Sequence, residues 1–240
     1  MRVSGKSDKG IVRENNEDSF SFKECGDGII TVLCDGMGGH AAGEIASRLT
    51  ANTVIDLLAE KLDGNMTDAE IHTLIDKSAV LANDAIKVHI AKKPEFEGMG
   101  TTLVVCYAIN DTLYVAHAGD SRAMLLRDGT LIHLTKDHSY VQELVDSGVV
   151  TPQEAENSPF KNVITRCING GDTKLDFDVY ELQDGDVIIS CSDGLTNFCP
   201  DEKIAEIISE NELDTVADKL IECANENGGD DNITVTLIEI

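Results

Sequence analysis

The spacing of short apolar runs between residues 101 and 134 restricts the fold more than any other feature of the chain. Runs at 101–108, 112–118, 123–127 and 131–134 are divided by turn-forming pairs, Asn110-Asp111 and Asp128-Gly129. Connections of about two residues demand antiparallel neighbours, because a parallel crossover needs about a dozen residues or more. Two earlier runs, 17–24 and 28–35, are joined by Gly26-Asp27-Gly28 and read as a further hairpin.

Two helical patterns follow that hairpin. Ala46, Leu49, Val54, Leu57, Leu58 and Leu62 keep a helical period. The capping box TDAE at 67–70 opens a second helix with Ile71, Leu74, Ile75, Ala82, Ala85 and Ile86 on its apolar face. After the meander, residues 139–170 form a mixed stretch with another capping box, TPQE at 151–154, and read as an insertion of short helices. Strands are expected at 174–182 and 186–192, helices near 201–209 and 213–226, and a closing strand at 232–240. This order predicts an α+β fold of antiparallel sheets with helices packed outside, not alternating βαβ units. With no internal repeat and no low-complexity linker, one domain is expected over residues 1–240.

Charge narrows the partners. The chain carries 44 acidic against 19 basic side chains, a formal net charge of -25, so nucleic acid and anionic membranes are poor candidates. The longest clean apolar run, Leu103–Ile109, is far too short to span a bilayer, and no basic-then-apolar leader is evident. The seven cysteines show no C-x-x-C spacing, which predicts reduced, buried thiols and a cytoplasmic protein.

The stretch CDGMGGHAAGE at 34–44 contains G-x-G-x-x-G/A, the spacing of a dinucleotide loop. Its context is wrong for that role. The acid at about the right distance, Asp56, lies inside the first predicted helix, and a second helix follows where a parallel strand is required. The Walker pattern fails too, because the one Gly-Lys-Ser, at 5–7, stands apart from this stretch and is preceded by MRVS, which holds no glycine; a nucleotide loop is set aside.

What stands out instead is a set of aspartates at strand ends. Asp35, Asp120 and Asp193 each end an apolar run, and Asp231 stands at the mouth of the last one. A carboxylate at the end of a buried strand must find a cation or give up its charge. Arg122 is near Asp120, but nothing basic is near Asp35 or Asp193. Carboxylates clustered without lysine or arginine suit hard divalent ions such as Mg²⁺ or Mn²⁺. Arg13, beside Glu14, Glu17 and Asp18, adds a planar fork suited to phosphate.

Taken together, these residues resemble the PPM family of metal-dependent protein Ser/Thr phosphatases (type 2C) in its compact bacterial form. The matching stretches are GIVRENNED (10–18), DGMGGH (35–40), GMGTT (98–102), GDSR (119–122), TKDH (135–138), CSDGL (191–195) and GDDN (229–232). The resemblance implies two stacked antiparallel sheets flanked by helix pairs, an αββα sandwich with a metal centre at one end. By matching position, it makes Asp35 the carboxylate bridging two Mg²⁺ or Mn²⁺ ions, with the Gly36 carbonyl on one. Asp193 and Asp231 then hold the other ion, Glu17 and Asp18 lie beside the first, and Asp120 contributes to a third site. Arg13 matches the phosphate-binding arginine. The implied reaction is hydrolysis of phosphoserine and phosphothreonine in proteins by a water activated between two metals, with no phosphorylated cysteine or serine. Phosphoproteins, a Ser/Thr kinase among them, are the implied partners, and a monomer is expected.

The chain departs from the family at two points. Many eukaryotic members place a histidine after the Asp-Gly pair; here Met37 stands there and the nearest histidine is His40, expected to support the loop rather than donate a proton. Asp230 stands where relatives are often basic or neutral, adding negative charge beside Asp231. Residues 139–170 match a variable flap, either a plain surface insertion or a determinant of substrate choice. The competing reading is a silent pseudophosphatase acting as a binding module, against which the intact Arg13, Asp35, Asp193 and Asp231 argue.

Overall fold

The structure, a computed structural model, describes residues 1–38 and 42–240. Strands β1 (Arg2–Asp8), β2 (Asp18–Cys25) and β3 (Gly28–Met37) precede two long helices, α1 (Ala42–Lys61) and α2 (Asp68–Lys92). A short 3-10 turn and β4 (Gly100–Thr101) lead into the meander β5 (Leu103–Ile109), β6 (Thr112–Ala118), β7 (Arg122–Arg127) and β8 (Thr130–His133). Helices α3 (Tyr140–Asp146) and α4 (Pro152–Glu156) come next, followed by β9 (Asp176–Glu181) and β10 (Val187–Cys191). The chain closes with α5 (Asp193–Thr196), α6 (Asp201–Ser209), α7 (Leu213–Glu226) and β11 (Ile233–Glu239).

One sheet runs β1-β11-β10-β7-β8 and the other β2-β3-β5-β6-β9, with β4 paired to β3; every pairing is antiparallel. The tight turns work as their residue types suggest: Asn110 (φ 50°) and Asp128 (φ 51°) take left-handed backbone that Asn and Asp tolerate. The central strands are buried on both faces. In β5, Leu103, Val105, Tyr107 and Ile109 face α1 and α2, while Val104, Cys106 and Ala108 face the opposing sheet. In β11, Ile233, Val235 and Leu237 face α5–α7, and Ile238 turns inward. Period-two alternation therefore builds three apolar layers, helix on sheet, sheet on sheet and sheet on helix, which is the αββα sandwich.

Both capping boxes are present, Thr67 with Glu70 at the start of α2 and Thr151 with Glu154 at the start of α4. Differences from the sequence reading lie at the edges: α1 starts at Ala42, β9 starts at Asp176 rather than 174, and β1 and α5 were not anticipated. All seven cysteines are free, and all but Cys167 are buried. Among the described residues no helix is long and apolar enough to cross a membrane.

Candidate metal centre

The β2–β3 register sets Asp18 directly opposite Asp35. The backbone of Asp35 is held on both sides: its N–H donates to Thr102 Oγ1 at 2.8 Å, and its carbonyl accepts from Thr102 N at 2.9 Å and Thr101 Oγ1 at 2.8 Å. Gly36 follows where no side chain fits, since a Cβ there would lie 2.2 Å from the Gly43 carbonyl oxygen and 2.5 Å from that of Glu17. The other sheet delivers Asp193 at the end of β10, its Oδ2 accepting from Asn197 Nδ2 at 3.0 Å. Asp231 precedes β11 and accepts from the Asn232 N–H at 2.8 Å. Asn232 also ties down the loop that carries Arg13. Its Nδ2 donates to the carbonyls of Lys9 and Asn15, both at 2.9 Å, and its Oδ1 accepts from Glu17 N at 2.8 Å.

The two sheets are stitched together at Asp18, whose Oδ2 accepts from Ser192 Oγ at 2.8 Å and Thr234 Oγ1 at 2.6 Å. Its Oδ1 is buried with no partner, as is Asp120 Oδ1. Burial, followed by the charges of Asp18, Asp193, Asp120 and Asp231, holds Asp35 well above the usual carboxylate range. Burial lifts Asp18 to about 7, against the pull of its two hydroxyl bonds. It lifts Asp120 to about 7 and Asp193 to about 6, with neighbouring aspartates adding to each. Glu17 is raised by burial too, with Arg13 opposing. All of the sequence-derived site residues thus meet at one pole of the sandwich.

The basic groups nearby leave most of this charge uncompensated. Arg13, half-exposed, donates from Nη2 to Asp231 Oδ2 at 2.7 Å and from Nε to the Asp230 carbonyl at 3.0 Å. Arg122 is near Asp120 in sequence, but its guanidinium forms a bidentate pair with Asp137 at 2.8 and 2.9 Å. Five converging aspartates, two of them (Asp18 and Asp120) with a buried oxygen that has no partner, are the oxygen-rich donor set that hard divalent cations require. The residues present fit such ions. His40 lies outside the described residues.

A protein-family profile described as Protein phosphatase 2C matches residues 6–144. The chain belongs to the protein phosphatase 2C family. The serine/threonine protein phosphatase PstP of Mycobacterium tuberculosis is 40% identical over 240 residues, covering 100% of this chain and 45% of PstP; the chain thus spans about half the length of that relative. The serine/threonine phosphatase stp of Listeria monocytogenes is 37% identical, with 100% of this chain and 96% of stp covered. A crystal structure of the PstP catalytic domain in complex with two manganese ions superposes with a TM-score of 0.86 at 38% identity, covering 98% of this chain and 96% of that one.

Sequence reasoning passed over several residues that this PP2C fold uses. Ser192 and Thr234 read as ordinary strand residues, and only their position across the sheet seam reveals them as partners of Asp18. Asn232 could have been noticed as a polar residue opening an apolar strand. A groove of about 550 Å³ adjoins the centre, walled by Asp120, Arg122 and Asp193 on one side and Val141, Pro152 and Lys161 on the other.

Proposed function

We propose that this chain hydrolyses phosphoserine and phosphothreonine in proteins with Mg²⁺ or Mn²⁺ as cofactor. The observation that carries the reading is the convergence of five aspartates, two of them (Asp18 and Asp120) with an orphaned, buried oxygen, and too little basic charge to balance them. Asp35 and the Gly36 carbonyl, with Glu17 and Asp18 behind them, would hold one ion. Asp35, Asp193 and Asp231 would hold another, and Asp120 with Asp193 would hold a third. Divalent cations bound there supply Lewis-acid polarisation of water and of phosphoryl oxygens.

The remaining steps belong to the chain's own groups. Arg13 uses Nε and one Nη2 hydrogen on Asp230 and Asp231, so its other N–H groups are free to grip a phosphoryl oxygen and orient the phosphorus for in-line attack. Among the described residues no side chain competes as nucleophile. The Cys34 and Cys191 thiols near the site are buried and pushed well up by that burial, and the Ser192 hydroxyl is engaged by Asp18. Residues 139–170, which wall the groove, meet the chain on either side of the phosphoresidue. The substrates are products of a Ser/Thr kinase, and the unpaired cysteines favour a reducing compartment such as the cytoplasm.

The decisive assay is release of phosphate from a phosphopeptide with Mn²⁺, with chelator, and with Asp35→Asn or Asp193→Asn. Turnover is expected only for the wild-type chain with metal, and each variant should lose several kcal/mol of transition-state stabilisation, about 10³-fold in rate. Metal-independent turnover, or full activity in Asp35→Asn, would defeat the metal mechanism, and no turnover in any condition would leave a binding module.

A further inference from the structure

His117, His138 and Asp176 lie beside the carboxylate centre without belonging to it, their ligand atoms within 4.8 Å of one another. Two histidines and a carboxylate could hold a transition metal, but the rings forbid it. They stack with centroids 4.4 Å apart and planes 8° from parallel. An ion in the plane of one imidazole, where its lone pair points, would lie far from the plane of the other. The hydrogen bonds agree. His117 Nε2 faces the Lys136 carbonyl at 2.9 Å and so carries hydrogen. His138 Nδ1 accepts the Gly119 N–H at 3.2 Å, which leaves its proton on Nε2, facing Asp176 Oδ2 at 3.0 Å.

The group is a hydrogen-bond relay centred on His138, a residue only 8% exposed. Burial lowers its pKa, with Asp176 opposing, and this favours the neutral ring that the relay needs. Its backbone N–H donates to the Gly119 carbonyl at 2.9 Å, so main chain and ring together grip both polar groups of Gly119. Asp176, which orients the ring, is itself paired with Arg166. On its other side Gly119 packs against Thr102, since a Cβ at its φ of +114° would lie 2.6 Å from Thr102 Cγ2. The next residue is Asp120, with its orphaned oxygen.

We propose that His138 is a positioning residue that locks the Gly119 peptide and thereby aims the Asp120 carboxylate into the metal centre. The role rests on the metal-dependent reading of that centre, and two substitutions separate it from simple packing. Asparagine at 138 can put its Oδ1 near the Nδ1 position and keep the Gly119 bond while abandoning Asp176. Glutamine can reach Asp176 from near the Nε2 position but has no acceptor for Gly119.

The experiment compares the wild-type chain with His138→Asn and His138→Gln by Mn²⁺ calorimetry and by amide hydrogen exchange at Gly119 in the metal-free protein. Partners behind a metal ligand typically change affinity about 10–100-fold when removed. His138→Gln should therefore weaken the weakest Mn²⁺-binding step by about tenfold or more and speed Gly119 exchange by about tenfold or more. His138→Asn should leave both within about threefold of wild type. Equal effects in the two variants, no effect in either, or a parallel weakening of every Mn²⁺ step would overturn the positioning role. A wild-type chain that binds no Mn²⁺ would instead defeat the metal reading on which it rests.

Discussion

At the scale of single residues, the centre stores electrostatic repulsion that should show in the metal-free protein. Asp18 and Asp120 are lifted to about 7 and Asp193 to about 6, chiefly by burial. An acid whose folded pKa is raised binds more protons folded than unfolded over the interval between the two values. Stability must then fall as pH rises through that interval. In chelator, the unfolding midpoint is expected to drop between about pH 4 and pH 7, the window set by these raised values. Asp18→Asn removes one of the buried charges, so it should flatten that drop and raise the midpoint at neutral pH, by about 2–4 °C for each kcal/mol gained. Thermal unfolding with chelator present checks both; a midpoint that climbs with pH would contradict the account. Saturating Mn²⁺ should lift the midpoint in proportion to the logarithm of its concentration, because it binds the folded chain.

At the scale of elements, helix α1 is docked through the site itself. A Cβ on Gly43, in its first turn, would lie 2.4 Å from Glu17 Oε2 and 2.8 Å from the Gly36 carbonyl carbon. Gly43→Ala adds helix propensity worth about 1 kcal/mol yet must push Gly36 or Glu17 aside. Helix content by circular dichroism should be kept while turnover of a phosphopeptide falls by about 10²-fold, the cost of a displacement near 1 Å at a reacting centre; unchanged turnover would mean the neighbours yield freely. The long elements were legible in the sequence because alternation and helical period are local properties, as in β3, β5 and α2. β1 was not, because RVSGKSD is an edge strand with little apolar content. Nor was α5, a single turn of four residues set off by Asp193. Asp35, Asp120 and Asp193 could be read because each ends an apolar run, and Asp231 because it opens one; Asp18 came only with the family resemblance. Ser192, Thr234 and His138 could not, since their partners come from distant segments and their types are common in strands and loops.

At the scale of the whole molecule, one pole gathers carboxylates from both sheets, Asp18 and Asp35 from one, Asp193 and Asp231 from the other, with Asp120 in the turn between β6 and β7. Together with a net charge of -25, this surface should draw in phosphopeptides with basic flanks and repel acidic ones. Raising ionic strength well beyond the physiological range, where screening shortens to a few ångströms, should raise KM for the basic peptide and lower it for the acidic one. Steady-state kinetics on such a matched pair checks this, and identical salt responses would count against it. At the opposite pole β1 pairs with β11 so that Arg2 lies across from Glu239. Residues 1–240 thus trace a path close to a closed ring. A short linker from Ile240 to Met1, with new ends opened between the exposed Gly64 and Asn65 in the connection from α1 to α2, should yield a permuted chain that folds and keeps its Mn²⁺-dependent turnover, because the cut moves while both sheets and the gathered aspartates stay in register.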